Sequence, residues 1–371
     1  MSLSSFKLNS FEKGLLYCTL LIFSSLKASL GIPVLLVFTY LFLEKNPLKK
    51  ENILVFILLL IKILWTLTAH FTYGTYSFYH ILQLLAFDVF IMFMCFYRVD
   101  KDFITGIAVI LLSVFFIEFS ANIISILGIG TENNELGLKR LTGIFGHPYL
   151  TVNFATVIFV LGLFNGSKYL MFISIATLLL TQSLRGPLMA CLIAFSVFGF
   201  YFRISRKLLY IGYVIFILIV FIAPYIYAQY YPEELGNQLR ALKWQSALSL
   251  IIQNPIFGIQ HFPNGEFIES GFFHVNGENI IYSLRNAESL FLGAALDFGI
   301  PYSMLSPIVF FLIARKKIIN FFSQDKSRIN FSIALISSIM FVDYFYGSFY
   351  GNIIPVSIFS LLAISFDSNS E

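Results

Sequence analysis

Among the side chains of this 371-residue sequence that could hold an anion or move a proton, eight are the candidates for chemistry: Lys139, Arg140, His147, Arg185, Arg240, His274, Arg285 and Glu288. A guanidinium grips an oxyanion through paired, charge-assisted hydrogen bonds, and a glutamate or histidine can take the proton of a hydroxyl. They stand out because charge is scarce here. Only 12% of the residues are charged, against 58% hydrophobic and 18% aromatic. What these groups can do depends on where the elements between them put them.

Such a composition excludes an ordinary soluble domain and predicts an integral membrane protein. The apolar runs extend for about 16 to 26 residues, long enough to cross a hydrocarbon core as helices. They lack the alternation of an outer-membrane barrel. The expected fold class is all-α, a polytopic integral membrane helical bundle of about 12 transmembrane helices with one large periplasmic loop containing an amphipathic helix. The predicted spans are 14–26, 28–43, 52–69, 78–97, 103–128, 149–164, 168–182, 187–202, 207–229, 287–313, 329–349 and 351–366. They form a single membrane domain over 1–371: the first nine helices in 1–229, the large loop in 230–286, and three helices with a cytoplasmic tail in 287–371. The first run lacks a small-residue cleavage site, so it is expected to be retained. Cys18, Cys95 and Cys191 fit neither a metal site nor a disulfide framework and are expected to be small core residues. The formal charge of +4 reports loop orientation and implies no nucleic-acid partner.

Basic residues orient the spans. With the N-terminus inside, the cytoplasmic segments hold sixteen of the 24 lysines and arginines, and both termini are cytoplasmic. Seven face outward: Lys27, Lys139, Arg140, Arg185, Arg240, Lys243 and Arg285. All but Lys27 fall in three outer segments, 129–148, 183–186 and 230–286. Cations gathered on the outer face need a reason other than topology.

In the longest of these segments, residues 232–253 predict a helix lying on the outer surface. Pro232 suits its first turn, Glu233 and Glu234 complement its positive end, and Pro255 closes it. Arg240, Trp244, Ala247 and Ile251 share one face. Trp244 is either an interface anchor, with Arg240 solvated or on lipid phosphate, or part of a site. Residues 254–286 are rich in Gly, Asn and aromatics and read as a folded binding loop. For His261 an ordinary loop hydrogen bond is the expected role.

Four motifs in this order resemble the O-antigen polymerase and O-antigen ligase superfamily of membrane glycosyltransferases. "RLTGIFGHPY" is similar to its Arg-x-x-Gly-x-Phe-x-x-Pro-Asn element, with Tyr149 in place of Asn. "TQSLRGPLMA" is similar to its Ser-Arg-Gly loop, with Leu184 inserted before Arg185. "RALKWQSALSLIIQNPIFGI" resembles its Arg, Trp, Pro and Gly pattern, and "AESLFLGAALDFGIP" the span entry that follows. The resemblance covers about residues 139–305. Where the ligases carry a His-Asn pair before the last motif, this chain has Glu288 and Ser289, which looks more like the polymerases.

The resemblance implies transfer of a glycan from undecaprenyl pyrophosphate to a sugar hydroxyl at the periplasmic face of the bacterial inner membrane. Arg140, Arg185 and Arg240, with Lys139 and His147, would bind the pyrophosphate, each charge-assisted bond contributing about 1.5 to 3 kcal/mol. Glu288 would be the base, with His274 the second candidate and Arg285 beside it; alternatively Glu288 forms a salt bridge that orients Arg285. No metal and no cofactor is expected. The expected partners are the undecaprenyl-pyrophosphate-linked oligosaccharide, membrane lipid, a chain-length regulator and a flippase. Within the spans, Lys62 and Asp88 predict a structural pair, with a proton or ion path as the alternative. A polymerase leads, ahead of a ligase acting on lipid A core and, third, a flippase or secondary transporter.

Overall fold

The computed structural model describes residues 8–26, 28–73, 78–126, 132–133, 139–140, 148–181, 185–201, eight positions between 205 and 222, 235–259, 269–275, 278–283, 289–322, 327–346 and 353–366. The chain is mostly helical. Helices α1 (Ser10–Leu26), α2 (Ala28–Phe42), α3 (Lys50–Tyr73), α4 (Phe78–Met94) and α5 (Lys101–Ile126) come first. They are followed by α6 (Pro148–Asn165), α7 (Lys168–Leu180), α8 (Arg185–Tyr201) and α9 (Leu235–Gln253). After these come α10 (Leu290–Phe298), α11 (Ile300–Phe322), α12 (Arg328–Tyr346) and α13 (Ile353–Phe359), the last continuing as a π-helical turn over Ser360–Ser365.

Eight helices, α1 to α8, fall within a few residues of the first eight predicted spans, because uninterrupted apolar residues leave the backbone no partners but its own. At Leu208, Ile211, Ile215, Leu218, Ile219 and Ile222, in the ninth predicted span, the chain is helical and the side chains are exposed. Two helices among the described residues are long and apolar enough to cross a membrane, Lys50–Thr72 and Arg328–Phe345. Shorter apolar helical stretches of 10–17 residues include Gly31–Phe42, Thr151–Asn165, Ile300–Arg315 and Ile353–Ser365.

Two expectations need correction. The single span predicted over 287–313 is two helices, α10 and α11, broken at Gly299, whose φ of 93° a residue with a side chain rarely adopts. The chain is mostly helical as expected, and Glu269–Val275 (β5) and Glu278–Ser283 (β6) add an antiparallel hairpin in the large loop. Cys191 is exposed, while Cys18 and Cys95 are buried and free.

Close backbone approach sets the packing. A methyl group on Gly14 would stand 2.2 Å from the carbonyl oxygen of Phe103, and one on Gly106 2.4 Å from that of Phe11, so α1 and α5 meet through glycines. The buried core joins α1 to α6, α12 and α13 through Tyr17, Phe154 and Phe359, among others. Across α3 and α4, Lys62 Nζ lies 2.8 Å from Asp88 Oδ2, and both side chains are buried. The expected pair is thus present, joined by Ser306 of α11, whose Oγ is 2.8 Å from Lys62 Nζ.

One end of the bundle is knotted by short contacts. Strands β1 (Glu44–Lys45) and β2 (Tyr97–Arg98) pair there, and the Val99 N–H donates to the Ser365 carbonyl at 3.0 Å. Arg98 holds Glu44 through a second bond, from Nε to Oε2, of 2.8 Å. That guanidinium holds the Glu44 carboxyl below its ordinary value. The depressed value makes the contribution complete above the unfolded pKa of about 4.3 and lost as pH falls through the folded one. Glu44→Gln is therefore expected to lower the melting temperature slightly at about pH 6, as befits an exposed pair, and to approach the parent as pH falls through the depressed folded value. Parallel thermal melts of the two proteins in detergent check this.

Candidate functional site

Each candidate cation or base among the described residues sits on a helix or in a hairpin. Lys139 and Arg140 form strand β4, paired antiparallel with β3 (Glu132–Asn133) so that Arg140 stands opposite Glu132 and Lys139 opposite Asn133. Arg185 is the first residue of α8. The next residue, Gly186, lets α8 approach α7 so closely that a methyl group there would meet the Leu178 carbonyl oxygen at 2.2 Å. Thr181 closes α7 by donating to that same carbonyl at 2.8 Å. Gly186 is required by the close packing of α7 on α8, the helix that Arg185 opens.

Arg240 lies on α9 and His274 on β5, opposite Asn279 of β6. Helix α9 packs on both the β5–β6 hairpin and α10, so the structure brings the elements bearing Arg240 and His274 together. Lys139 with Arg140, and Arg185, belong to two other hairpins. His147, Arg285 and Glu288 lie outside the described residues, as does His261.

Trp244 overturns the picture of a helix resting on the surface. It is fully buried, and Ala247 and Ile251 on the same face are buried with it in the main core. The opposite face stays exposed at Gln245, Ser249 and Gln253, and Leu248 and Ile252 at the flank of the stripe are exposed as well. Hence α9 is inserted by its apolar stripe, not floated at an interface, and Arg240 is one turn from a fixed anchor.

Beyond α9 the chain locks onto the break between α10 and α11. The turn after Gln253 runs through Pro255 to Gly258, whose φ is 68°. The Ile259 N–H donates to the Leu296 carbonyl at 2.7 Å, and the Ile300 N–H donates to the Pro255 carbonyl at 2.8 Å. A methyl group on Gly258 would lie 2.5 Å from the Leu296 carbonyl oxygen, and one on Gly299 would lie 2.0 Å from that of Ile256. The two glycines therefore face each other's backbone. Ser289 starts α10 as its N-cap, accepting from the Leu292 N–H at 3.3 Å while donating to the Phe345 carbonyl at 2.7 Å. That fixes the helix just after Glu288 in sequence.

These clamp residues escape a search by chemistry, since none is charged. Their signal in the sequence is Pro with Gly in each of two motifs, which marks turns or breaks; that the two meet is decided by tertiary contact. Gly258→Ala and Gly299→Ala are each expected to cost about 1 to 3 kcal/mol, with α9 loosened. Gly293→Ala, in open space on α10, should be neutral or slightly stabilising. Melting temperatures of the three variants, with protease sensitivity of the 235–259 segment, separate these outcomes.

Comparison with known proteins bears on this arrangement. No curated protein matches the chain. Residues 169–305 match the family model described as O-antigen ligase. The matched stretch starts in α7 and ends within α11, so it contains the Arg185 turn, α9, the β5–β6 hairpin and both halves of the glycine clamp, and excludes Lys139, Arg140 and His147. That match is in keeping with the resemblance of this stretch to the O-antigen polymerase and ligase superfamily.

Proposed function

We propose that this protein is a polymerase of O antigen or a related surface polysaccharide. It transfers an undecaprenyl-pyrophosphate-linked glycan to the non-reducing end of the next lipid-linked repeat unit. The observation that carries the reading is the family match over 169–305, which spans the elements bearing Arg185, Arg240 and His274. Polymerase is favoured over ligase by Glu288 and Ser289, which occupy the place of the ligases' His-Asn pair.

In the proposed reaction the acceptor hydroxyl oxygen attacks the anomeric carbon from the face opposite the pyrophosphate. The new glycosidic bond forms as the carbon–oxygen bond to pyrophosphate breaks, with inversion. The hydroxyl proton passes to Glu288, with His274 the second candidate, and Arg285 lies beside the base in sequence. The electron pair of the broken bond leaves on the pyrophosphate. Arg140, Arg185 and Arg240, with Lys139 and His147, take up that charge in place of a divalent ion. Arginine suits the task because its planar fork meets phosphate oxygens in pairs.

The topology proposed for this reaction has about 12 transmembrane helices in the bacterial inner membrane, both termini cytoplasmic and the large loop periplasmic. The geometry is in keeping with it. The 254–259 turn reaches the second half of α3, where Phe257 lines a groove with Thr68 and Thr72, whereas the basic β1–β2 end adjoins the start of α3. A chain-length regulator and a flippase remain the proposed protein partners.

Arg140→Lys or Arg185→Lys is expected to remove most activity, about 10² to 10³-fold, with the protein still in the membrane, because a point charge does not replace a bidentate fork. Glu288→Gln should be at least as severe if it is the base. The glycolipid ladder of a deletion strain, complemented with each variant, is the assay. Core carrying one repeat in the deletion strain identifies a polymerase; bare core with long glycan on the lipid carrier identifies a ligase. Normal ladders from both arginine variants would remove the pyrophosphate role.

A further inference from the structure

The match to known proteins begins at Tyr169 and leaves α3 and α4 without a task. We propose that the buried pair Lys62–Asp88, acting through Ser306 and Tyr302, is a positioning device that sets where the 254–259 turn stands and, with it, helix α9. Its catalytic consequence rests on the transferase reading above; its geometry does not.

Helix α3 is apolar nearly throughout, with Ile, Leu and Phe on all sides. Sliding such a surface by one ridge along its neighbours exchanges similar contacts for similar contacts, so apolar packing specifies register weakly. The ion pair specifies it strongly. Lys62 Nζ donates to Asp88 Oδ1 at 3.0 Å and to Ser306 Oγ at 2.8 Å, which pins α3, α4 and α11 at one point. Lys62 is 1% exposed and Asp88 3%, so separating them would leave two buried charges without compensation.

From that point a continuous layer leads to the turn. Four residues before Ser306 in α11, the Tyr302 hydroxyl shares a 2.9 Å hydrogen bond with Thr66 Oγ1. The Tyr302 ring lies 5.5 Å from Lys62 Nζ and 4.5 Å, centre to centre, from the ring of Phe298. Phe298 is the last residue of α10, and Gly299 behind it is the residue clamped against Ile256. A shift of α11 along α3 therefore displaces the clamp. The clamped turn follows directly on Gln253, the end of α9. Phe257 in the turn and Thr68 on α3 line the same groove and report that displacement directly.

Replacing a buried ion pair with apolar residues often leaves stability unchanged or raised. That permits a test in which stability and register part company. In full-length protein carrying Cys191→Ser, the pair Thr68→Cys and Phe257→Cys is oxidised and the rate of disulfide formation measured, alongside thermal melting and glycan-transfer kinetics. Lys62→Met with Asp88→Leu is expected to melt at or above the parental temperature, yet to crosslink about tenfold more slowly and to lose about a hundredfold in kcat, the ordinary cost of a reacting group misplaced by ~1 Å. Exchanging the charges, Lys62→Asp with Asp88→Lys, should return both rates toward parental, since the Ser306 hydroxyl can donate to a carboxylate as well as accept.

An apolar double variant with the parental crosslinking rate overturns the proposal. Should that variant not fold, Ser306→Ala with Tyr302→Phe cuts the link to α11 and keeps the ion pair. Slower crosslinking there supports the device, and an unchanged rate overturns it. If the crosslinking rates change as expected while even the parent transfers no glycan, the positioning stands and the transferase reading falls.

Discussion

An ammonium and a carboxylate taken out of water must stay together, and the contact between Lys62 and Asp88 imposes that condition on three helices at once. Around it the bundle is built from interchangeable apolar surfaces, which attract one another but discriminate poorly between neighbouring registers. A buried charge pair discriminates sharply, because its attraction rises as the dielectric falls while the penalty for separation becomes several kcal/mol, on the order given for a buried ion. The aromatic layer of Trp65, Phe298 and Tyr302 extends this fixed point toward the 254–259 turn.

Where the layer ends, glycine takes over. Gly258 and Gly299 allow two backbone segments to exchange hydrogen bonds at a distance that any side chain would prevent. Gly186 does the same between α7 and α8, and Gly14 and Gly106 between α1 and α5. The protein thus holds both its loops and its helices in part by main-chain contact at close range. Such contact satisfies backbone groups that would otherwise have no partner in an apolar surrounding.

This construction suits chemistry on a charged, lipid-linked substrate. Leaving-group stabilisation by arginine depends on guanidinium groups held in place before the charge develops, since reorganisation during the reaction would consume the benefit. Arg240 stands on a helix inserted into the core through Trp244, and Arg185 opens a helix locked to its neighbour at Gly186. Both cations are carried by elements that the interior fixes, although the segments between them are long.

Much of the helical framework was legible in the sequence, because unbroken apolar runs in a chain this poor in charge admit little but helices. The Lys62–Asp88 pair was legible too: two ionisable residues in neighbouring spans each required a partner, and each was the nearest available. The candidate arginines were legible as exceptions to the distribution of charge. The burial of Trp244 was not, since an aromatic stripe reads alike whether it meets lipid, an interface or a protein core. Nor was the division of 287–313 at Gly299, because a glycine in an apolar run is compatible with a continuous helix until another backbone arrives to occupy its open side. The pairing of β5 with β6 likewise depends on partners that hydropathy does not name. Composition and charge, being local sums, determined which segments are helical and which residues could do chemistry; contact between distant segments, which no local sum contains, decided how they are held.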